Sequence, residues 1–118
     1  MVRGTGSVPL DGFYGVAVSE NSVESTADGR ALIWIFTPAD RNLFRRCSDC
    51  LANELGAQPT ERFDAMDQIF LDLVLAGIPI VLQWTDGRGV ALSVRRDVPG
   101  GEAFLGRIAN FVSQRVTA

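Results

Sequence analysis

Apolar and polar positions alternate along this chain in blocks that predict a sequence of elements beginning near Gly12. Phe13-Tyr-Gly-Val-Ala-Val-Ser19 has the β-branched and aromatic content of a strand, and Ala31-Leu-Ile-Trp-Ile-Phe36 is a stronger one preceded by an Asp28-Gly29 turn. Six successive apolar residues predict a strand buried on both faces, as at the centre of a sheet. Val23 to Thr26 fits either a paired strand or a loop.

Thr37-Pro38-Ala39-Asp40 reads as a helix start: a hydroxyl to accept exposed amides, a proline for the first turn, and an aspartate for the positive end of the dipole. Helix A then runs to about Leu55 with Leu43, Cys47, Cys50, Leu51 and Leu55 on one stripe, and Gly56 ends it. Beyond Ala57-Gln58-Pro59, a second helix, B, is expected from Thr60. Its inner face would be Phe63, Met66, Phe70, Leu73 and Val74, closed by Gly77.

Ile78 to Trp84 and Val90 to Arg95 flank a Thr85-Asp86-Gly87-Arg88-Gly89 turn and form the cleanest hairpin signal in the chain. Pro99-Gly100-Gly101 interrupts it, and helix C follows from Glu102 to Val116, with Phe104, Ile108, Phe111, Val112 and Arg115 on a stripe. Asp28-Gly29-Arg30-Ala31-Leu32 and Asp86-Gly87-Arg88-Gly89-Val90-Ala91-Leu92 are a weak internal echo, each opening a strand. The expectation is an α+β fold: an antiparallel sheet of about four strands with three helices, ordered strand-strand-helix-helix-strand-strand-helix, the helices mainly on one face. Residues 1–11, rich in Gly, Ser and Thr, read as a flexible leader, and 12–118 as one domain.

Composition narrows the function classes. All 11 basic residues among the 118 are arginine, with no lysine and no histidine, and 47% of the chain is hydrophobic. That is enough apolar material for a core without a metal or disulfide. Lacking histidine, the chain has no Ser-His-Asp or Cys-His device, and lacking lysine it has no Schiff base or Walker A motif. A net charge of −3 argues against a nucleic-acid partner, which requires a basic face. The most hydrophobic stretch, Ile69 to Leu82, is broken by Asp72, Gly77 and Pro79, so no membrane span is expected. With no signal-peptide pattern, the expected location is the cytoplasm, where Cys47 and Cys50 stay reduced.

Three constellations carry candidate chemistry. Cys47-Ser48-Asp49-Cys50 has redox spacing, but it lies almost three turns into helix A and on the apolar stripe, which favours core packing. Two cysteines supply half a zinc site, which only a dimer could complete. No metal and no cofactor are therefore expected. Glu61, Asp64 and Asp72 would line the outer face of helix B, opposite Arg41 and Arg45 of helix A, in ordinary salt bridges. Arg95-Arg96 before Pro99-Gly100-Gly101 has donors for an anion at the start of helix C, but the spacing matches no established phosphate loop and favours an arginine-bordered strand end with an ordinary glycine turn.

The aromatic residues Phe13, Tyr14, Trp34 and Trp84 are the candidate binding residues, at an interface or in a pocket. A strand apolar on both faces, on a sheet with helices on one side, implies a cover supplied by a second subunit or another protein. The reading is a non-catalytic domain acting by protein–protein association, as a homodimer or with a partner. The alternatives are a small-molecule-binding domain with its pocket between sheet and helix B, and an enzyme using a thiol or carboxylates.

Overall fold

A computed structural model describes residues 23–116. The predicted strand at Phe13 to Ser19 lies outside the described residues. Within them the sheet has six strands, all antiparallel, and two helices. In chain order these are β1 (Val23–Ser25), β2 (Arg30–Phe36), α1 (Arg41–Leu55), β3 (Gln58–Asp64), β4 (Gln68–Leu75), β5 (Ile78–Thr85), β6 (Gly89–Arg95) and α2 (Gly101–Arg115). The sheet order is β1-β2-β6-β5-β4-β3, so the last four strands form a meander and β2 closes onto β6.

This corrects the expectation of about four strands and three helices. Helix B does not exist; its sequence is the β3–β4 hairpin. Ile69, Leu71, Leu73 and Leu75 of β4 alternate strictly into the core, while Phe70 and Val74 point the other way. β3 is exposed along its whole length and is held by pairing one side of its backbone with β4, from Gln58 opposite Val74 to Asp64 opposite Ile69. Gly77 ends no helix. It is the second residue of the β4–β5 turn, where Ala76 (φ 53°) and Gly77 (φ 79°) both take positive φ between the paired Leu75 and Ile78. That is the backbone a two-residue hairpin with the twist of its strands requires. Val23–Ser25, ambiguous in sequence, pairs with β2.

Helix A is present as α1 but starts later than expected. The Thr37-Pro38 peptide is cis, and Asp40 is the N-cap, its carboxylate accepting from the Leu43 amide at 2.9 Å. Gly56 ends the helix in the left-handed region (φ 75°) as predicted, and the amides of Gly56 and Ala57 return to the Leu51 carbonyl. The predicted stripe of α1 is buried through Leu43, Cys47, Cys50 and Leu51, joined by Phe44.

Both helices cover one face of the sheet. Ile33 and Ile35 of β2, the four leucine and isoleucine side chains of β4, Ile80, Leu82 and Trp84 of β5, and Val90, Leu92 and Val94 of β6 meet Leu105, Ile108, Ala109 and Val112 of α2 and the α1 stripe in a single core. The turn between β5 and β6 admits no side chain at Gly89. Its φ is 143°, and a Cβ there would sit 1.9 Å from the Phe36 carbonyl oxygen, beside the irregularity in the β2–β6 register.

Candidate functional site

The register sorts the predicted binding residues. Trp34 lies opposite Ala91 and Trp84 opposite Val90, and neighbouring residues of β6 face opposite sides of the sheet. Trp34 is therefore on the outward face and Trp84 in the core, so the two do not share a site. Phe13 and Tyr14 lie outside the described residues. Trp84 is tied down: its indole donates to the Ala39 carbonyl at 2.8 Å, and the Arg41 guanidinium lies 4.8 Å from the ring centroid. On the other face, Arg88 lies 4.5 Å from the centroid of Trp34. Around it Leu32, Ala91 and Ser93 are buried, with Arg30 donating to the Ser93 hydroxyl at 2.9 Å. The doubly apolar strand β2 is thus not the exposed part of the outward face.

The cysteines stay in the core. Cys47 and Cys50 are free thiols buried on the sheet-facing side of α1, and burial pushes the Cys47 thiol up to about 12, with the neighbouring Cys50 adding to it. Burial raises Cys50 too. A thiol with so high a pKa is protonated at neutral pH and is not a nucleophile. Because these side chains pack inside their own chain, they cannot complete a four-thiolate site across a two-fold axis. Among the described residues no three His, Cys, Asp or Glu side chains gather as metal ligands.

The charged constellations are also taken. Without helix B the expected bridges between helices A and B are absent; Arg45 pairs with Asp49 along α1 at 3.1 Å, and Arg115 of α2 reaches Glu54 at 3.1 Å. Arg95 bonds Asp97 at 2.8 Å, and Arg96 bonds Glu102 and the Ser25 hydroxyl, so both arginines at the start of α2 already have partners. Hydrogen bonds from Thr26, Arg62 and Arg95 hold Asp28, Asp64 and Asp97, respectively, below the usual carboxylate range. A general acid needs the opposite shift.

Among the described residues, two surface features stand out. One is an open groove of about 720 Å³ at the N-terminus of α1, bordered by Pro38, Leu43, Arg46, Trp84 and Asp86. It replaces the pocket expected against helix B. The other is the β3–β4 hairpin at the sheet edge. Phe63 is 58% and Met66 92% exposed, the large hydrophobic side chains left open among the described residues. Phe63 faces outward beside Phe70, ring centroids 6.3 Å apart. Beneath the hairpin, Arg62 forms an ion pair with Asp64 at 2.7 Å and lies over the Phe44 ring, 5.6 Å from its centroid. Arg41 of α1 donates to the carbonyls of Ala65 and Met66 at 2.7 and 2.8 Å, fixing the hairpin tip against the helix. Sequence reading assigned Phe63 and Met66 to a buried helical stripe; the strict alternation of Ile69, Leu71, Leu73 and Leu75 was the signal that could have shown the hairpin.

No helix among the described residues is long and apolar enough to cross a membrane. Comparison with known protein families, with characterised proteins and with solved structures finds no match to this chain.

Proposed function

We propose that this domain acts without catalysis, by associating with protein through the β3–β4 edge of its sheet. The observation that carries the reading is the pairing of exposed Phe63 and Met66 with an outermost strand exposed on every residue. An unpaired strand edge offers main-chain donors and acceptors, and adjacent apolar side chains add burial when a partner docks. The protonated, buried cysteines and the downward-shifted carboxylates argue in the same direction, away from thiol or general-acid chemistry.

The test is a double variant, Phe63→Asp with Met66→Asp, compared with the wild type for self-association in sedimentation and for proteins retained from the native cell. The reading expects association that the variant loses while its unfolding midpoint is kept. Association that survives both substitutions would overturn it.

A second reading, binding of a small molecule, is favoured by the groove beside Trp84, where the Arg46 guanidinium has no ion-pair partner among the described residues. A thermal-shift screen of small organic anions tests it. Stabilisation lost in Arg46→Ala would support it, and a flat screen would remove it.

A further inference from the structure

The edge strand carries enough information to specify its own partner. The Ala65 amide donates to the Gln68 carbonyl at 2.7 Å, closing the β3–β4 hairpin. In an antiparallel ladder, bonded and non-bonded pairs alternate, so Phe63 and Glu61 direct their backbone groups toward β4. Arg62 and Asp64 direct theirs outward, to an edge that no other strand among the described residues covers. The regular register from Glu61 to Asp64 keeps this alternation intact, because the irregularity lies further back, between Pro59 and Glu61.

A second copy meeting this edge about a two-fold axis normal to the sheet must pair outward-directed residues with outward-directed residues. Within the regular stretch there are three ways to do so: Arg62 opposite Arg62, Asp64 opposite Asp64, or Arg62 opposite Asp64. The first two set like charges directly across from each other, which is destabilising. The third sets each arginine opposite the partner's Asp64, twice by symmetry, and centres Phe63 on the axis.

We infer that the chain forms a two-fold dimer by antiparallel β3–β3 pairing, with Arg62 of each protomer opposite Asp64 of the other, joining the two sheets into one. The inference rests on the association reading above and specifies its partner as a second copy. Four main-chain hydrogen bonds join the strands, from Arg62 and Asp64 of each. Phe63 and its symmetry mate are a non-bonded pair, the closer of the two kinds, with Cα atoms about 4.5 Å apart. With Phe70 of each protomer they form a four-ring cluster on the outward face, covering the side chain that is 58% exposed in one chain. On the inward face, Arg62 and Asp64, which pair within the chain at 2.7 Å, exchange or share partners across the axis. Edge strands that avoid pairing are blunted by charges, inward-pointing ones included, by proline or by a bulge. Here the charges alternate in sign, and Pro59, which cannot donate, lies outside the paired stretch.

The test is a charge swap read by sedimentation equilibrium, alongside a cysteine placed on the axis. Arg62→Asp and Asp64→Arg, each alone, set like charges opposite each other in the dimer and should weaken it at least about tenfold. The two together restore opposite signs and should recover it. Phe63→Cys should form a symmetric disulfide under mild oxidation, since the spacing on the axis suits one, whereas Glu61→Cys should not. A dimer indifferent to both single swaps, or cross-linked through position 61 in preference to 63, overturns the register. A strictly monomeric chain that still retains another protein through Phe63 and Met66 overturns the dimer and leaves the association reading standing; loss of both overturns both.

Discussion

Arg41 of α1 donates to the main-chain carbonyl of Met66 at 2.8 Å, so the first residue of a helix holds the tip of a hairpin that begins beyond the other end of that helix. The same guanidinium also reaches Ala65 and stacks on Trp84. Arg41→Ala should therefore cost about 1 to 2 kcal/mol, the sum of two exposed charge-assisted bonds and a cation–π contact after solvent screening. It should also speed amide exchange in the β3–β4 hairpin while leaving β2 and β6 unchanged. Uniform acceleration across the sheet would show that the contact stabilises the whole domain and not the hairpin.

The β4–β5 turn contains a residue in an unfavourable conformation. Ala76 has φ 53° in a position where glycine or asparagine is at home. Ala76→Gly should stabilise the protein by about 0.5 to 1 kcal/mol, with Ala76→Asn close behind, because relief of left-handed strain exceeds the added freedom of the unfolded chain. Urea unfolding checks it, and a loss of stability in both variants would contradict the turn.

Gly89 should tolerate nothing. Gly89→Ala drives a Cβ into the Phe36 carbonyl at φ 143°, and several kcal/mol, about 3 or more, should be lost. Gly106, in α2, has open space where a Cβ would go, and Gly106→Ala is the control, expected to gain up to about 1 kcal/mol of helix propensity.

The thiols give the fold a pH dependence with a definite sign. Cys47 titrates near 12 in the folded chain, against an ordinary value of 9.0. The folded state therefore binds more protons than the unfolded state between these values. Stability from this group is complete below about pH 8.5 and falls as pH rises toward 12, at up to about 1.4 kcal/mol per pH unit. Cys47→Ala should flatten that part of the curve, at a cost of about 1 kcal/mol or more at neutral pH from the cavity it leaves. Rapid modification of both thiols by a disulfide reagent in the native protein at pH 7 would contradict their burial.

The contrast between α1 and the segment after it shows what sequence patterning could and could not reveal. Leu43, Cys47, Cys50 and Leu51 repeat with helical spacing and are buried on a helix closed by Gly56, as their pattern implies. The β5–β6 hairpin was legible from Asp86-Gly87, and β2 from its apolar run. The β3–β4 hairpin was not, for three physical reasons. β4 carries apolar residues on both faces, so Phe70 and Val74 mask the alternation of Ile69, Leu71, Leu73 and Leu75 and complete a false helical stripe with Phe63 and Met66. β3 is an edge strand held by its neighbour's backbone and needs no apolar pattern of its own. The turns on either side of β4 lack the usual markers, since Ala76 stands where the asparagine of Asn-Gly would have announced a hairpin and no glycine lies between Asp64 and Gln68. The candidate site fell with the helix: Phe63 and Met66 looked interior, and the tryptophans that looked like a surface pair face opposite sides of the sheet.

The claim that β3 is the association edge is tested most directly by amide exchange at single residues, measured by NMR at about 20 μM and about 1 mM. The account predicts that the Arg62 and Asp64 amides, which face away from β4 and have no strand partner among the described residues, exchange more slowly at the higher concentration, while the Phe63 amide, bonded to β4, is protected equally at both. Arg62 and Asp64 amides that exchange at the same rate across that range would contradict it.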